Sequence, residues 1–95
     1  MRTTKAQLQA QLERTSKALG RPINHWHRTE DGRNVATIGA LTLDKCYQGW
    51  QIQEIMNEGG GIRVLGGHYT LTAFETYVCL RAMEDAAEII RDNQK

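Results

Sequence analysis

The sequence is poor in the side chains that usually carry covalent chemistry. Its only serine is Ser16, and its two cysteines, Cys46 and Cys79, have no histidine nearby in sequence and lack metal-ligand spacing. Both sit inside apolar runs, which predicts buried thiols of a cytosolic protein rather than a disulfide. No segment approaches the roughly 18 apolar residues of a membrane span. The opening residues Met1-Arg2-Thr3-Thr4-Lys5-Ala6-Gln7 have no apolar leader run behind them. A soluble, unexported, non-enzymatic protein without a cofactor is expected.

An excess of either charge is also lacking. Twelve Lys and Arg against eleven Asp and Glu leave +1. That balance argues against a dedicated nucleic-acid binder, which needs a concentrated basic surface to neutralise phosphates. The balance hides an asymmetry: residues 1–48 carry eight basic and four acidic side chains (+4), and residues 49–95 four and seven (−3). Such polarity suits docking on a partner or on a second copy.

Local signals give an α+β order. Thr4 followed by Gln7 is a capping box, and Leu8, Leu12, Thr15 and Leu19 then share one face of a helix over about 4–19, with Ser16 on its polar side. Gly20-Arg21-Pro22 ends it. A sheet of three or four antiparallel strands is expected over about 25–65. It starts with Asn24-His25-Trp26-His27-Arg28 as an edge strand or ordered loop, followed by a turn at Glu30-Asp31-Gly32-Arg33. Val35, Leu41 and Leu43 then share one face of an extended segment. Gln48-Gly49 and Gly59-Gly60-Gly61 supply the hairpin turns, and Ile62 to Leu65 the last strand.

Thr72 with Glu75 is a second capping box and opens a helix over about 72–92. Phe74, Val78, Ala82, Ala86 and Ile89 form one apolar band on it. Leu80, Met83, Ala87 and Ile90 form another, while Arg81, Glu84, Glu88 and Arg91 share the remaining side. The sheet can cover only one band. Either the first helix or a second subunit must meet the other, so a homodimer through the C-terminal helix is a natural expectation. A single domain over residues 1–95 is expected.

Candidate sites are few. His25 and His27 would project to one side of a strand, with His68 as a third potential metal ligand, but nothing places His68 near them and no His-Glu helical pair exists. Histidines that pack locally or touch a partner are expected, and no metal. The glycine pairs do not follow phosphate-loop order, because they lead into Ile62-Arg63-Val64-Leu65 rather than straight into a helix. The informative mixture is aromatic and basic. Trp26, Tyr47, Trp50 and Tyr69 alternate with Arg28, Arg33, Lys45 and Arg63, which fits a protein-binding hot spot or a platform for single-stranded nucleic acid, and equally a filled core. The expected contact residues are Trp26, His27, Arg28, Arg33, Lys45, Trp50 and Arg63.

Leu43-Asp44-Lys45-Cys46-Tyr47-Gln48-Gly49-Trp50, followed by Asn57-Glu58-Gly59-Gly60-Gly61-Ile62, resembles a turn module in small uncharacterised accessory proteins of temperate phages and prophages. The resemblance covers about residues 41–85. Gln48 stands where a glycine is commoner, and Leu65-Gly66-Gly67-His68 replaces a Ser-Pro-Arg segment. What it implies is a setting: a phage accessory protein in the bacterial cytoplasm that binds a host protein, such as an inhibitor of host defence of the anti-CRISPR kind. A nucleic-acid-associated regulator using the same aromatic and basic surface is the alternative.

Overall fold

The computed structural model describes residues 2–46, 49–65 and 70–93. Helix α1 (Lys5–Ala18) begins at the expected box. The Thr4 amide donates to Gln7 Oε1 at 2.8 Å, and the Gln7 amide donates back to Thr4 Oγ1 at 3.2 Å. It ends in a Schellman motif: the amides of Gly20 and Arg21 donate to the carbonyls of Lys17 and Ser16, with Gly20 at φ +69°. Helix α2 (Ala73–Asn93) starts the same way, from Thr72 and Glu75.

The strands form two sheets instead of one. β1 (Trp26–Arg28) and β2 (Asn34–Ala36) make a short antiparallel hairpin, while β3 (Leu41–Cys46), β4 (Gly49–Ile55) and β5 (Ile62–Leu65) make an antiparallel meander in the order β3-β4-β5. Val35 therefore does not share a strand with Leu41 and Leu43. Between them the chain turns through Gly39, where the Gly39 amide donates to the Ile55 carbonyl and the Ile55 amide to the Ala40 carbonyl. Those bonds fasten the hairpin to the end of β4.

Gly49 is also not a turn residue. It is the first residue of β4, and a Cβ there would stand 2.7 Å from the Leu71 carbonyl oxygen. Glycine is needed because Trp50 and Leu71 exchange two backbone hydrogen bonds of 2.8 Å beside it. Tyr47 and Gln48, the rest of the expected turn, lie outside the described residues. At the other end of the meander Gly60 takes φ +92°, and Asn57 Oδ1 accepts from the Gly61 amide at 2.9 Å. This turn is where the sequence places it.

Both helices cover one face of the meander. Leu12 and Leu80 pack with Leu41 and Ile52, flanked by Leu43, Leu65 and Met83. Ala36, Ala40 and Ile55 form a second, smaller cluster under the hairpin. The helices run parallel. Arg2, Thr3 and Gln7 adjoin Phe74 and Tyr77 at their starts; at their ends Arg91 Nη2 donates to the Ala18 carbonyl oxygen at 3.3 Å.

Their interface is unusually polar, with Gln11, Thr15 and Glu84 buried in it, and Ser16 and Thr76 are buried as well. Two expectations change here. Ser16 is buried instead of lying on the polar face, and Glu84 faces α1 instead of solvent. Hydrogen bonds make this burial tolerable: Gln11 Nε2 donates to Glu84 Oε1, and Thr15 Oγ1 donates to the Leu80 carbonyl oxygen. Of the two apolar bands on α2, the one containing Leu80, Met83 and Ala87 turns inward, although Ile90 stays exposed. The other stays outside, with Phe74, Val78 and Ile89 exposed. Cys79 lies on that outer side, so it is an exposed thiol and not the buried one expected. The side chain of Cys46 falls outside the described part.

Candidate binding surfaces

Four of the seven expected contact residues come together on the β1–β2 hairpin. Trp26 pairs with Ala36, His27 with Val35 and Arg28 with Asn34. Because strand side chains alternate, Trp26 and Arg28 share one face while His27 takes the other. Trp26 stands on the side of the Ala36 cluster, its ring edge close to the Gly60 backbone, and still leaves 55% of its surface exposed. Tryptophan is usually much more deeply covered.

The turn of this hairpin is tied by its own side chains. Thr29 Oγ1 donates to the Asp31 carboxylate, and Arg33 Nε donates to Asp31 Oδ2 at 2.9 Å. The Thr29 hydroxyl, and then the Arg33 amide, hold the Asp31 carboxyl below its ordinary value. Asp31 thereby offsets part of the Arg33 charge, and Arg28 is left as the dominant cation beside Trp26. His27 Nδ1 shares a hydrogen bond of 2.9 Å with Thr37 Oγ1. His25 is half-buried next to it, and His68 lies outside the described residues.

Lys45 and Trp50 stand at the other end of the meander. They face each other across β3 and β4, with Lys45 Nζ 5.9 Å from the indole centroid. Arg63 has a different environment. Its Nη2 lies 2.6 Å from Glu54 Oε1, and Arg21 Nη1 lies 2.9 Å from Glu54 Oε2. Glu54 is buried between the two arginines, so Arg63 is committed to a contact within the fold. Tyr47 and Tyr69 lie outside the described residues.

Two further surfaces emerge only from the three-dimensional arrangement. Between α2 and β5 is a groove of about 330 Å³ walled by Ile52, Leu65, Leu71, Cys79, Ala82 and Met83. It continues the exposed apolar band of α2. At the helix starts, Arg2 and Lys5 line a cleft together with Lys45 and Trp50. The only sequence sign of that cluster is that α1 opens without an acidic residue in its first turn.

No family profile, curated protein or solved structure matches this chain. Among the described residues no helix is long and apolar enough to cross a membrane.

Proposed function

We propose that this is a non-enzymatic binding protein whose principal contact surface is the β1–β2 hairpin. The carrying observation is Trp26, a large side chain 55% exposed on a hairpin secured by hydrogen bonds, with Arg28 on the same face. Tryptophan and arginine are the side chains enriched at energetic centres of protein interfaces. His27 and Arg33 enlarge the surface around them. The turn-module resemblance supports a finer reading: a phage accessory protein in the bacterial cytoplasm that engages a host protein, of the kind that inhibits host defence such as CRISPR.

Capture from bacterial lysate with Trp26→Ala and Arg28→Ala alongside the parent tests this. A partner retained by the parent and lost from both variants, with unchanged circular dichroism, is the expected result. Equal capture by all three rules the hairpin out.

The exposed band of α2 supports a second copy as an additional partner. Phe74 is 64% and Ile89 61% exposed, and together with Val78 they form an uncovered apolar stripe next to the groove. Light scattering should then give twice the 10.8 kDa chain mass. A monomer at high micromolar concentration removes the dimer.

A nucleic-acid-associated regulator is the second reading, favoured by the Lys45–Trp50 pair. Its signature is binding that weakens steeply between about 50 and 200 mM salt. Absence of DNA or RNA binding at the lower salt eliminates it.

A further inference from the structure

The cleft at the helix starts has a volume of about 710 Å³, within the range of small-molecule sites. Three cationic side chains line it, Arg2, Lys5 and Lys45, and no carboxylate does. None of the three belongs to an ion pair among the described residues. The acids that adjoin the lining residues along the chain are engaged elsewhere: Asp44, next to Lys45, accepts from Gln53 Nε2 at 3.4 Å, and Glu75 Oε1 accepts from the Thr72 amide at 2.9 Å. Three like charges gathered without a counter-charge repel one another, and α1 places Lys5 at its own positive end, where a cation is unfavourable. An anion in the cleft would relieve both costs.

The remaining walls give that anion a shape. Trp50 and Phe74 both line the cleft, Phe74 with most of its ring exposed, so flat apolar surface adjoins the cations. Lys45 bridges the two kinds of wall through its position over the Trp50 ring. A ligand that uses both needs an anionic end and a planar ring a few ångströms apart.

We infer that this cleft binds a free nucleotide, with Arg2, Lys5 and Lys45 on the phosphate and the base against Phe74 and the Trp50 edge. The site lies at the opposite end of the meander from the Trp26 hairpin, so a nucleotide and a partner on that hairpin can be bound together. Its fate is independent of the hairpin proposal.

Titration calorimetry at low salt with AMP, ATP, adenosine and inorganic phosphate tests the assignment. AMP or ATP should saturate, with adenosine and inorganic phosphate each at least about tenfold weaker, since each lacks one half of the recognition. Lys45→Glu and Arg2→Glu should each weaken AMP by about tenfold or more with circular dichroism unchanged, and Lys17→Glu, at the far end of α1, should not. Four outcomes overturn the inference: no saturable heat with either nucleotide, full affinity in the Arg2→Glu/Lys45→Glu double variant, phosphate binding as tightly as AMP, or binding of a single-stranded oligonucleotide without any of mononucleotides.

Discussion

Gln11 in α1 and Glu84 in α2 meet inside the helix pair, with Gln11 Nε2 donating to Glu84 Oε1 at 2.8 Å. The same amide reaches Thr15 Oγ1 at 3.2 Å, and the second carboxylate oxygen lies 3.6 Å from Arg14 Nε. An apolar seam would hold the helices without fixing their register. This polar one permits a single offset, because sliding either helix leaves buried donors and acceptors unmatched.

Gln11→Leu should therefore cost about 1–3 kcal/mol, the penalty of leaving a buried acceptor without its donor. Gln11→Leu/Glu84→Leu should be more stable than Gln11→Leu alone, since the stranded carboxylate is gone. Urea denaturation of the two single variants and the double closes the cycle. Simple additivity would show the pair to be uncoupled.

Glu54 gives an asymmetric expectation. Its carboxylate is buried, but the side chains of Arg21 and Arg63 are 43% and 61% exposed, so each arginine can return to water when its partner is removed. The double variant Arg21→Ala/Arg63→Ala strands a buried charge and should lose about 3–5 kcal/mol. Glu54→Gln should lose less. Chemical denaturation of both variants under one condition gives the comparison, and the reverse order would contradict the burial of Glu54.

Gly49→Ala brings a methyl group to 2.7 Å from the Leu71 carbonyl oxygen, a backbone atom that cannot swing aside. It should cost about 1–3 kcal/mol by forcing the Trp50–Leu71 pair apart. Gly59→Ala meets only the Asn57 side-chain oxygen at 3.3 Å and should be much milder. Thermal melts of the two variants distinguish a close-approach glycine from a tolerant one.

Glu75 makes α2 sensitive to acid. The Thr72 amide, and then its hydroxyl, hold the Glu75 carboxyl below its ordinary value of 4.5. A depressed carboxylate contributes stability that is fully present above the unfolded value and is lost as pH falls through the folded one. The stability gap between parent and Glu75→Ala should thus be widest at neutral pH and shrink below 4.5. Denaturation at neutral and acidic pH measures it, and a constant gap would remove the carboxylate from the account.

The helices were legible because their signals are local. Thr4 with Gln7, Thr72 with Glu75, and Gly20 each act within four residues, and the structure uses all three. The division of the sheet was not legible, since Val35, Leu41 and Leu43 keep the spacing of one continuous strand while Gly39 folds the chain between them. Hydrophobic periodicity was equally blind to Glu84 and Glu54, whose burial depends on donors from distant elements. The aromatic and basic residues were recognised, but their grouping was not. Trp26 and Trp50 end up at opposite ends of the meander, and Lys45 gains Arg2 and Lys5 only because the two helices run parallel.

The parallel helix pair also sets an order of events during synthesis. The partners Gln11 and Glu84 are 73 positions apart, and the loop they close contains every strand of the fold. Joining ends so separated carries a loop-closure cost that local structure cannot offset in advance. On the ribosome, Leu12 gains Leu41 and Ile52 as β3 and β4 emerge, but the side of α1 that meets α2 stays bare while the entire sheet is translated. The interval in which Gln11 and Thr15 lack their partners on α2 leaves that face open to premature association, and a captor of nascent chains would find its handle there.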